Sequence, residues 1–237
     1  MKRIDGRETD ELRPVRLTLG FSKFAEGSCL IEMGDTVVLC NASVEEKVPP
    51  HVRSGGWITA EYSMLPRANR ERSRRDVSKL KLSSRSAEIQ RLIGRSLRSA
   101  VDLQLLGERT VTVDCDVLQG DGGTRTASVT GGFVALVLAL RRLRSSGLID
   151  TMPVSSYVTG VSAGLVNGVP MLDLCYEEDS HAIVDMNCVM TDDGGIIELQ
   201  ATGEGRPYTV SEQKALLELC AKGNRELCAI VKRYVTL

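Results

Sequence analysis

A chain of 237 residues is long enough for one large domain or two small ones, with ample core either way. Its 42% hydrophobic and 26% charged residues are the proportions of a globular protein, and a net charge of −1 excludes a generally basic nucleic-acid coat, leaving only a local patch for such binding. Seven cysteines, an odd number without a CxxC pair, argue against a disulfide framework or a zinc site and read as reduced core residues of a cytoplasmic protein.

The charged start, Met1 to Arg16, lacks the apolar centre of a signal peptide, and the longest apolar run, Phe133 to Leu140, is too short to cross a bilayer. No membrane partner is expected. Val15 to Leu19, Gly27 to Met33 and Thr36 to Glu46 are predicted strands, spaced closely enough for an antiparallel meander. Lys47 to Gly56 is a loop carrying His51, which has no obvious partner in the sequence. Trp57 to Leu65 is a further strand, closed by Pro66.

Arg67 to Arg75 sets five arginines (67, 70, 72, 74 and 75) against one glutamate, without apolar periodicity. Such a run is either a solvated loop or a phosphate-seeking arm. Ser86 to Val101 is amphipathic, with Ile89, Leu92, Ile93, Leu97 and Ala100 on one stripe, which predicts a helix. Ser84 or Ser86 would cap it, and Arg85 then lies at or beside its first turn. Thr110 to Leu118 reads as a strand on which Asp114 and Asp116 share a face, as partners for arginine or as sheet surface.

Asp121-Gly-Gly-Thr-Arg125 follows, and behind it Ala127 to Leu143, apolar on nearly every side, reads as a helix buried all round. A glycine pair between strand and helix permits a tight turn and close ligand approach. The helix start favours an anion, and Thr124 and Arg125 add a hydroxyl and a guanidinium fork. The functional reading of Gly123, Thr124 and Arg125 is a phosphate seat; the plainer one is a glycine turn, a cap and a surface arginine.

Val158 to Val166 and Met171 to Tyr176 are strands about the Asn167-Gly168 turn, and Ile183 to Met190 pairs with Gly195 to Ala201. From Ser211 to about Tyr234 the pattern is helical. No linker interrupts the chain, so residues 1–237 are expected to form a single α+β domain. Asp179 and Asp185 would lie about 20 Å apart on one continuous strand. A chain reversal near Ser180-His181 would bring the two carboxylates together, where they suit Mg²⁺ or Mn²⁺; otherwise they are an acidic hairpin tip in solvent.

Several segments together resemble the ribonuclease PH family of phosphate-dependent tRNA-trimming exoribonucleases. They are Arg3-Ile-Asp-Gly-Arg7, Gly56-Trp-Ile-Thr-Ala-Glu-Tyr-Ser-Met-Leu-Pro-Arg67, Glu88-Ile-Gln-Arg-Leu-Ile-Gly-Arg95, Asp121-Gly-Gly-Thr-Arg125, Glu178-Asp-Ser180 with Val184-Asp-Met-Asn187, and Glu198-Leu-Gln200, in family order across nearly the whole chain. Two departures stand out: Ser84-Arg-Ser86 where the family has Gly-Arg-Thr, and Ala68-Asn69 where it has Ala-Thr.

The resemblance implies an α/β sandwich of the ribosomal protein S5 domain 2-like type, assembled as a homohexamer, a trimer of dimers. It implies phosphorolytic 3′-to-5′ trimming of tRNA precursors and other structured RNA, with inorganic phosphate as co-substrate, release of nucleoside 5′-diphosphates, and reverse nucleotidyl transfer. Arg85, Gly123, Thr124 and Arg125 would bind phosphate. Asp179 and Asp185 would hold Mg²⁺ or Mn²⁺ and, with Arg125, carry the catalysis. Arg67, Arg70, Arg72, Arg74 and Arg75 would steer RNA. Asn187 falls beside the aspartates without a settled role. The alternative is a catalytically silent, RNA-binding ring subunit of an exosome-like assembly.

Overall fold

The computed structural model describes residues 3–75 and 83–237. Strands β1 (Val15–Leu19), β2 (Gly27–Met33) and β3 (Thr36–Glu45) form the expected antiparallel meander. The edge of this sheet is less obvious from the sequence. Strand β5 (Thr110–Gln119) adds antiparallel to β3, and β4 (Trp57–Met64) adds last, parallel to β5, giving the order β1-β2-β3-β5-β4. Parallel neighbours need a crossover. It contains helix α1 (Ser84–Arg98), which packs on β4, and the single turn α2 (Leu103–Leu106).

The second sheet is antiparallel, ordered β7-β6-β8-β9, from β6 (Val158–Val166), β7 (Val169–Leu172), β8 (Ala182–Thr191) and β9 (Ile196–Gly203). Between the sheets runs α3 (Thr124–Ser145), touching β2, β3 and β5 on one side and β6 and β8 on the other. This placement explains why its sequence is apolar nearly all round. Phe133, Leu136 and Leu140 are fully buried in one core that runs through both sheets. Each such side chain contributes about 1.5–3 kcal/mol by leaving water. Helix α3 has the length and apolarity of a membrane span, but its most apolar window is 83% buried against the rest of the protein. Helix α5 (Val210–Val231), capped by the Thr209–Glu212 box, covers β6, β7 and β8. All seven cysteines are unpaired and buried.

Three expectations need correction. The hairpin after Asn167-Gly168 is shorter than Met171 to Tyr176, because Asp173 takes a left-handed φ of 51° and ends the strand. Tyr176–Asp179 is instead a helical turn, α4, closed by the Cys175–Glu178 capping box, so the acidic run is not a solvent-facing hairpin tip. Helix α1 starts two residues earlier than its apolar stripe indicates, and its cap is Ser83, whose Oγ accepts from the Ser86 amide at 3.0 Å, rather than Ser84 or Ser86. The apolar stripe does not register polar first-turn residues, which is why the sequence pattern starts late. His51, without a partner in the sequence, packs edge-on to Trp57 with ring centroids 5.1 Å apart.

Candidate active site

Gly122 and Gly123 both adopt left-handed backbone, with φ of 75° and 63°, between the end of β5 and the start of α3. Any side chain there would also collide: a Cβ on Gly122 would stand 2.5 Å from the Leu174 carbonyl oxygen, and one on Gly123 would stand 2.9 Å from Arg13 Nη2. The turn is held from behind by Arg13, which is 4% exposed. Its Nη1 donates to the Asp121 carbonyl at 2.5 Å, and its Nη2 and Nε donate to the Asp173 carboxylate at 2.7 and 3.0 Å. Thr36 Oγ1 donates to the Gly122 carbonyl at 2.6 Å and accepts from the Asp121 amide at 3.0 Å. A turn fixed at this many points presents the helix start that follows it in one orientation.

That start has no side-chain cap and no acidic residue in its first turn. The first turn of α1 has no acidic residue either. Arg125 is the second residue of α3, and Arg85 is the second residue of α1. Both line one cleft of about 810 Å³, together with Glu88, Asp179, Asp185, Asn187, Gln200 and Glu204 among others. Two guanidinium groups at two helix starts make this a place for anions.

The aspartates reach the same cleft from the second sheet. Asp179 closes α4, which is fixed by a buried pair: Arg3 Nε and Nη2 donate to the two carboxylate oxygens of Glu178 at 2.8 and 2.5 Å. The capping bond from the Cys175 amide to Glu178 is 3.1 Å. Asp185 is on β8, two residues before Asn187, so both side chains share a face, and Asn187 Nδ2 donates to Asp185 Oδ2 at 3.1 Å. Burial, and then the charge of Asp179, push the Asp185 carboxyl up to about 6, against the pull of Arg125. Burial raises Asp179 as well, opposed by Arg85 and Arg125. Two carboxylates facing one cleft repel each other, and Arg85 and Arg125 offset only part of that charge.

Gly123 and Thr124 are set back from this surface and do not line the cleft. Thr124 is buried, with its hydroxyl 2.9 Å from that of Tyr62. Burial holds the Tyr62 phenol above its ordinary pKa, against the bond to Thr124 and the charges of Arg85 and Arg125. The arginine run is exposed at 67, 70, 72, 74 and 75. Arg70 pairs with Glu177 at 3.4 Å and lies 5.2 Å over the Tyr176 ring. Arg74 and Arg85 line a common hollow of about 150 Å³, which joins the run to the α1 start.

Three cleft residues carry no role in the sequence reading. Arg125 Nη1 donates to Gln200 Oε1 at 2.7 Å and stands 3.6 Å from Glu88 Oε1, while Glu204 lines the rim. Glu88 and Gln200 had a signal, since each lies within a resembling segment, but nothing in the sequence tells which side chain either meets.

Two family models match this chain, those of the first and second domains of the 3′ exoribonuclease family, over residues 11–141 and 156–232. Ribonuclease PH of Syntrophomonas wolfei subsp. wolfei is 53% identical over 234 residues, 98% of each chain. Among solved structures, the Archaeoglobus fulgidus exosome with RNA bound to the active site matches with a TM-score of 0.83 at 26% identity, covering 95% of this chain and 91% of that one. An archaeal exosome core matches with a TM-score of 0.76 at 25% identity, covering 98% and 91%. The rice Rrp46 matches in fold, with a TM-score of 0.77 at 18% identity and coverage of 98% and 97%.

Proposed function

The chain belongs to the 3′ exoribonuclease family, in its ribonuclease PH branch, and from that premise we propose that it trims 3′ extensions of tRNA precursors by phosphorolysis, releasing nucleoside 5′-diphosphates. One observation carries this reading: Arg85 and Arg125, each near a helix start, line the same cleft as Asp179 and Asp185. A silent RNA-binding subunit has no need of both arginines and both carboxylates on one surface, and that alternative is not favoured.

Phosphate is a poor nucleophile towards a phosphodiester because like charges must approach. Arg85 and Arg125 hold the attacking anion and offset its charge, with the α3 start behind them. Gly123 shapes that start, and Thr124, through Tyr62, braces it. Gln200 and Glu88 fix the direction in which Arg125 points. No covalent nucleophile is required.

Among the described residues no group of three carboxylate, histidine or cysteine ligands is present. Two carboxylates nevertheless fit Mg²⁺ or Mn²⁺, which keep several waters and take substrate phosphate oxygens as further ligands. Asp179 and Asp185 would hold the ion, and Asn187 orients Asp185. Such an ion supplies charge neutralisation at the scissile phosphate and the leaving 3′-oxygen.

The five exposed arginines from 67 to 75 would guide the RNA body towards the cleft. We place the protein in the cytoplasm as a homohexamer acting through one domain over 1–237; two solved neighbours that are exosome assemblies support an oligomer, and a main core that runs through both sheets supports the one domain. The test is incubation with a 3′-extended tRNA with and without phosphate. Nucleoside diphosphate released only with phosphate supports the proposal; monophosphate released regardless of phosphate makes the protein a hydrolase instead.

A further inference from the structure

The two halves of the cleft are braced by one stretch of chain. Arg3, Arg7 and Arg13 belong to the segment before β1, and all three meet at Asp173, which is fully buried. Arg3 Nη2 and Arg7 Nη2 donate to its carbonyl oxygen at 3.0 and 3.1 Å, and Arg13 Nη2 donates to its carboxylate at 2.7 Å. From this junction Arg3 reaches Glu178, the residue before Asp179, and Arg13 reaches the Asp121 carbonyl, just ahead of the glycine turn. Arg7 Nη1 and Nη2 stand 3.8 Å from the carboxylates of Asp173 and Glu178, between the two branches. The far sides touch as well, since the Tyr176 amide donates to Asp121 Oδ1 at 3.2 Å. The result is a closed ring of contacts joining the turn that ends at Asp179 to the turn that precedes Arg125.

Stability alone is a poor account of this network. Burying ionised groups carries a desolvation cost, and well-packed apolar residues in place of a buried ion pair are often as stable or more so. Arg3, Arg13, Asp173 and Glu178 are each at most 7% exposed, yet they lie behind the cleft and are absent from its lining. Asp173 also takes a left-handed φ of 51°, which is uncommon outside glycine. Such backbone persists where its surroundings over-determine it, and it clusters at functional sites. What these contacts fix is the separation of two groups on which phosphorolysis depends. The phosphate held at Arg125 must meet the diester held at the aspartates, and a misplacement of about 1 Å can cost about 10² in rate.

We propose that residues 3–13 are a positioning element of the active site. Arg3 orients Asp179 through Glu178, Arg13 orients Arg125 through the glycine turn, and Asp173, common to both, sets the distance between them. The proposal rests on the phosphorolytic reading and adds to it residues that touch neither RNA nor phosphate.

Arg3→Lys and Arg13→Lys keep each charge and lose the guanidinium fork, so neither buried carboxylate is left without a cation. Calorimetry on the assembled protein without RNA measures the affinity for Mn²⁺ and, separately, for inorganic phosphate, beside kcat and Tm. Arg3→Lys weakens Mn²⁺ by about 10-fold, the low end for losing a group that orients a metal ligand, and leaves phosphate unchanged. Arg13→Lys does the reverse, weakening phosphate alone. Both lower kcat at saturating metal and phosphate. The double variant lowers it by less than the product of the single losses, because one spacing is disturbed twice. Leu227→Ala, buried on α5, lowers Tm but binds both ions as the wild type does. Should Arg3→Lys misfold, Arg7→Lys, at a partly exposed side chain, weakens Mn²⁺ in the same direction. Folded arginine variants with wild-type affinities for both ions overturn the proposal, and so do affinity losses that Leu227→Ala reproduces. Losses in kcat that multiply in the double variant also overturn it, since each arginine then acts alone. Release of nucleoside diphosphate by the wild type is scored in parallel. Its absence sinks the phosphorolytic reading, whereas its presence with unchanged affinities sinks the positioning role alone.

Discussion

Arg125 Nη1 donates to Gln200 Oε1 at 2.7 Å, which ties the start of α3 to the edge strand of the second sheet. A free arginine side chain gives up about 2 kcal/mol of rotamer entropy when it is immobilised. Here part of that ordering precedes the arrival of phosphate. Arg125→Ala should lower phosphorolysis at subsaturating phosphate by roughly 10²–10³, the scale for removing one preorganised donor. Gln200→Ala should raise KM for phosphate by a smaller factor while Arg125 remains. Equal rates for wild type and Arg125→Ala at low phosphate would remove that residue from the phosphate site.

Asp185 titrates near 6 because burial and the Asp179 charge both oppose its ionisation. A carboxyl raised above its unfolded value binds its proton more tightly in the folded protein. Its contribution to stability is therefore greatest in acid and is lost as pH rises from about 4 through about 6. Above that range the ionised pair accepts a divalent cation, which then stabilises the fold by mass action. The rise in Tm on adding Mg²⁺ should be clearly larger at pH 8 than at pH 5, and Asp185→Asn should reduce the difference. If Mg²⁺ moved the Tm of wild type and variant equally at both values, the two aspartates would not be its ligands.

Asp114 behaves similarly for a structural reason. On β5 it stands in register with Glu61 of the parallel neighbour β4. Burial, then Glu61 and Asp116, raise it to about 6. Asp114→Asn removes one of these like charges without changing the side-chain shape. The variant should melt higher than wild type at pH 8 and lose that advantage at pH 4, where the wild-type group is already neutral. A lower melting temperature at pH 8 would mean that Asp114 has a cationic partner in the assembled protein.

The period-two and helical patterns located most of the regular elements, because sequence hydrophobicity records which face each turns to the core. Residues 121 to 125 pointed to a strand-to-helix turn because a glycine pair frees the backbone to turn tightly, as it does with left-handed φ at 122 and 123. What local pattern could not carry was pairing at a distance. Arg3 and Glu178 are 175 residues apart and Arg13 and Asp173 are 160 apart, yet these two buried pairs brace α4 and the glycine turn. Glu178 carried no role of its own in the sequence, because nothing nearby indicates that Arg3 meets it. Thr124 read as an open donor, because Tyr62, its partner, lies on a different element. The chemistry-bearing residue types were visible in the sequence; the side chains that orient them were not.

The exposed arginines at 70, 72, 74 and 75 are the last test. Only Arg70 has a carboxylate partner among the described residues, Glu177 at 3.4 Å, and both groups of that pair face solvent. Such a pair contributes about 0–1 kcal/mol, so replacing all four arginines by alanine should leave Tm nearly unchanged. Binding of a full tRNA precursor should weaken, with a salt slope shallower by roughly 0.7–0.9 for every phosphate contact removed. Arg85 stays in place and shares its hollow with Arg74, so a short oligonucleotide that reaches only the cleft should lose far less. Filter binding of tRNA and of a short RNA, run side by side, separates the two. Equal losses for both substrates would put these arginines at the reacting end of the RNA and contradict a steering role.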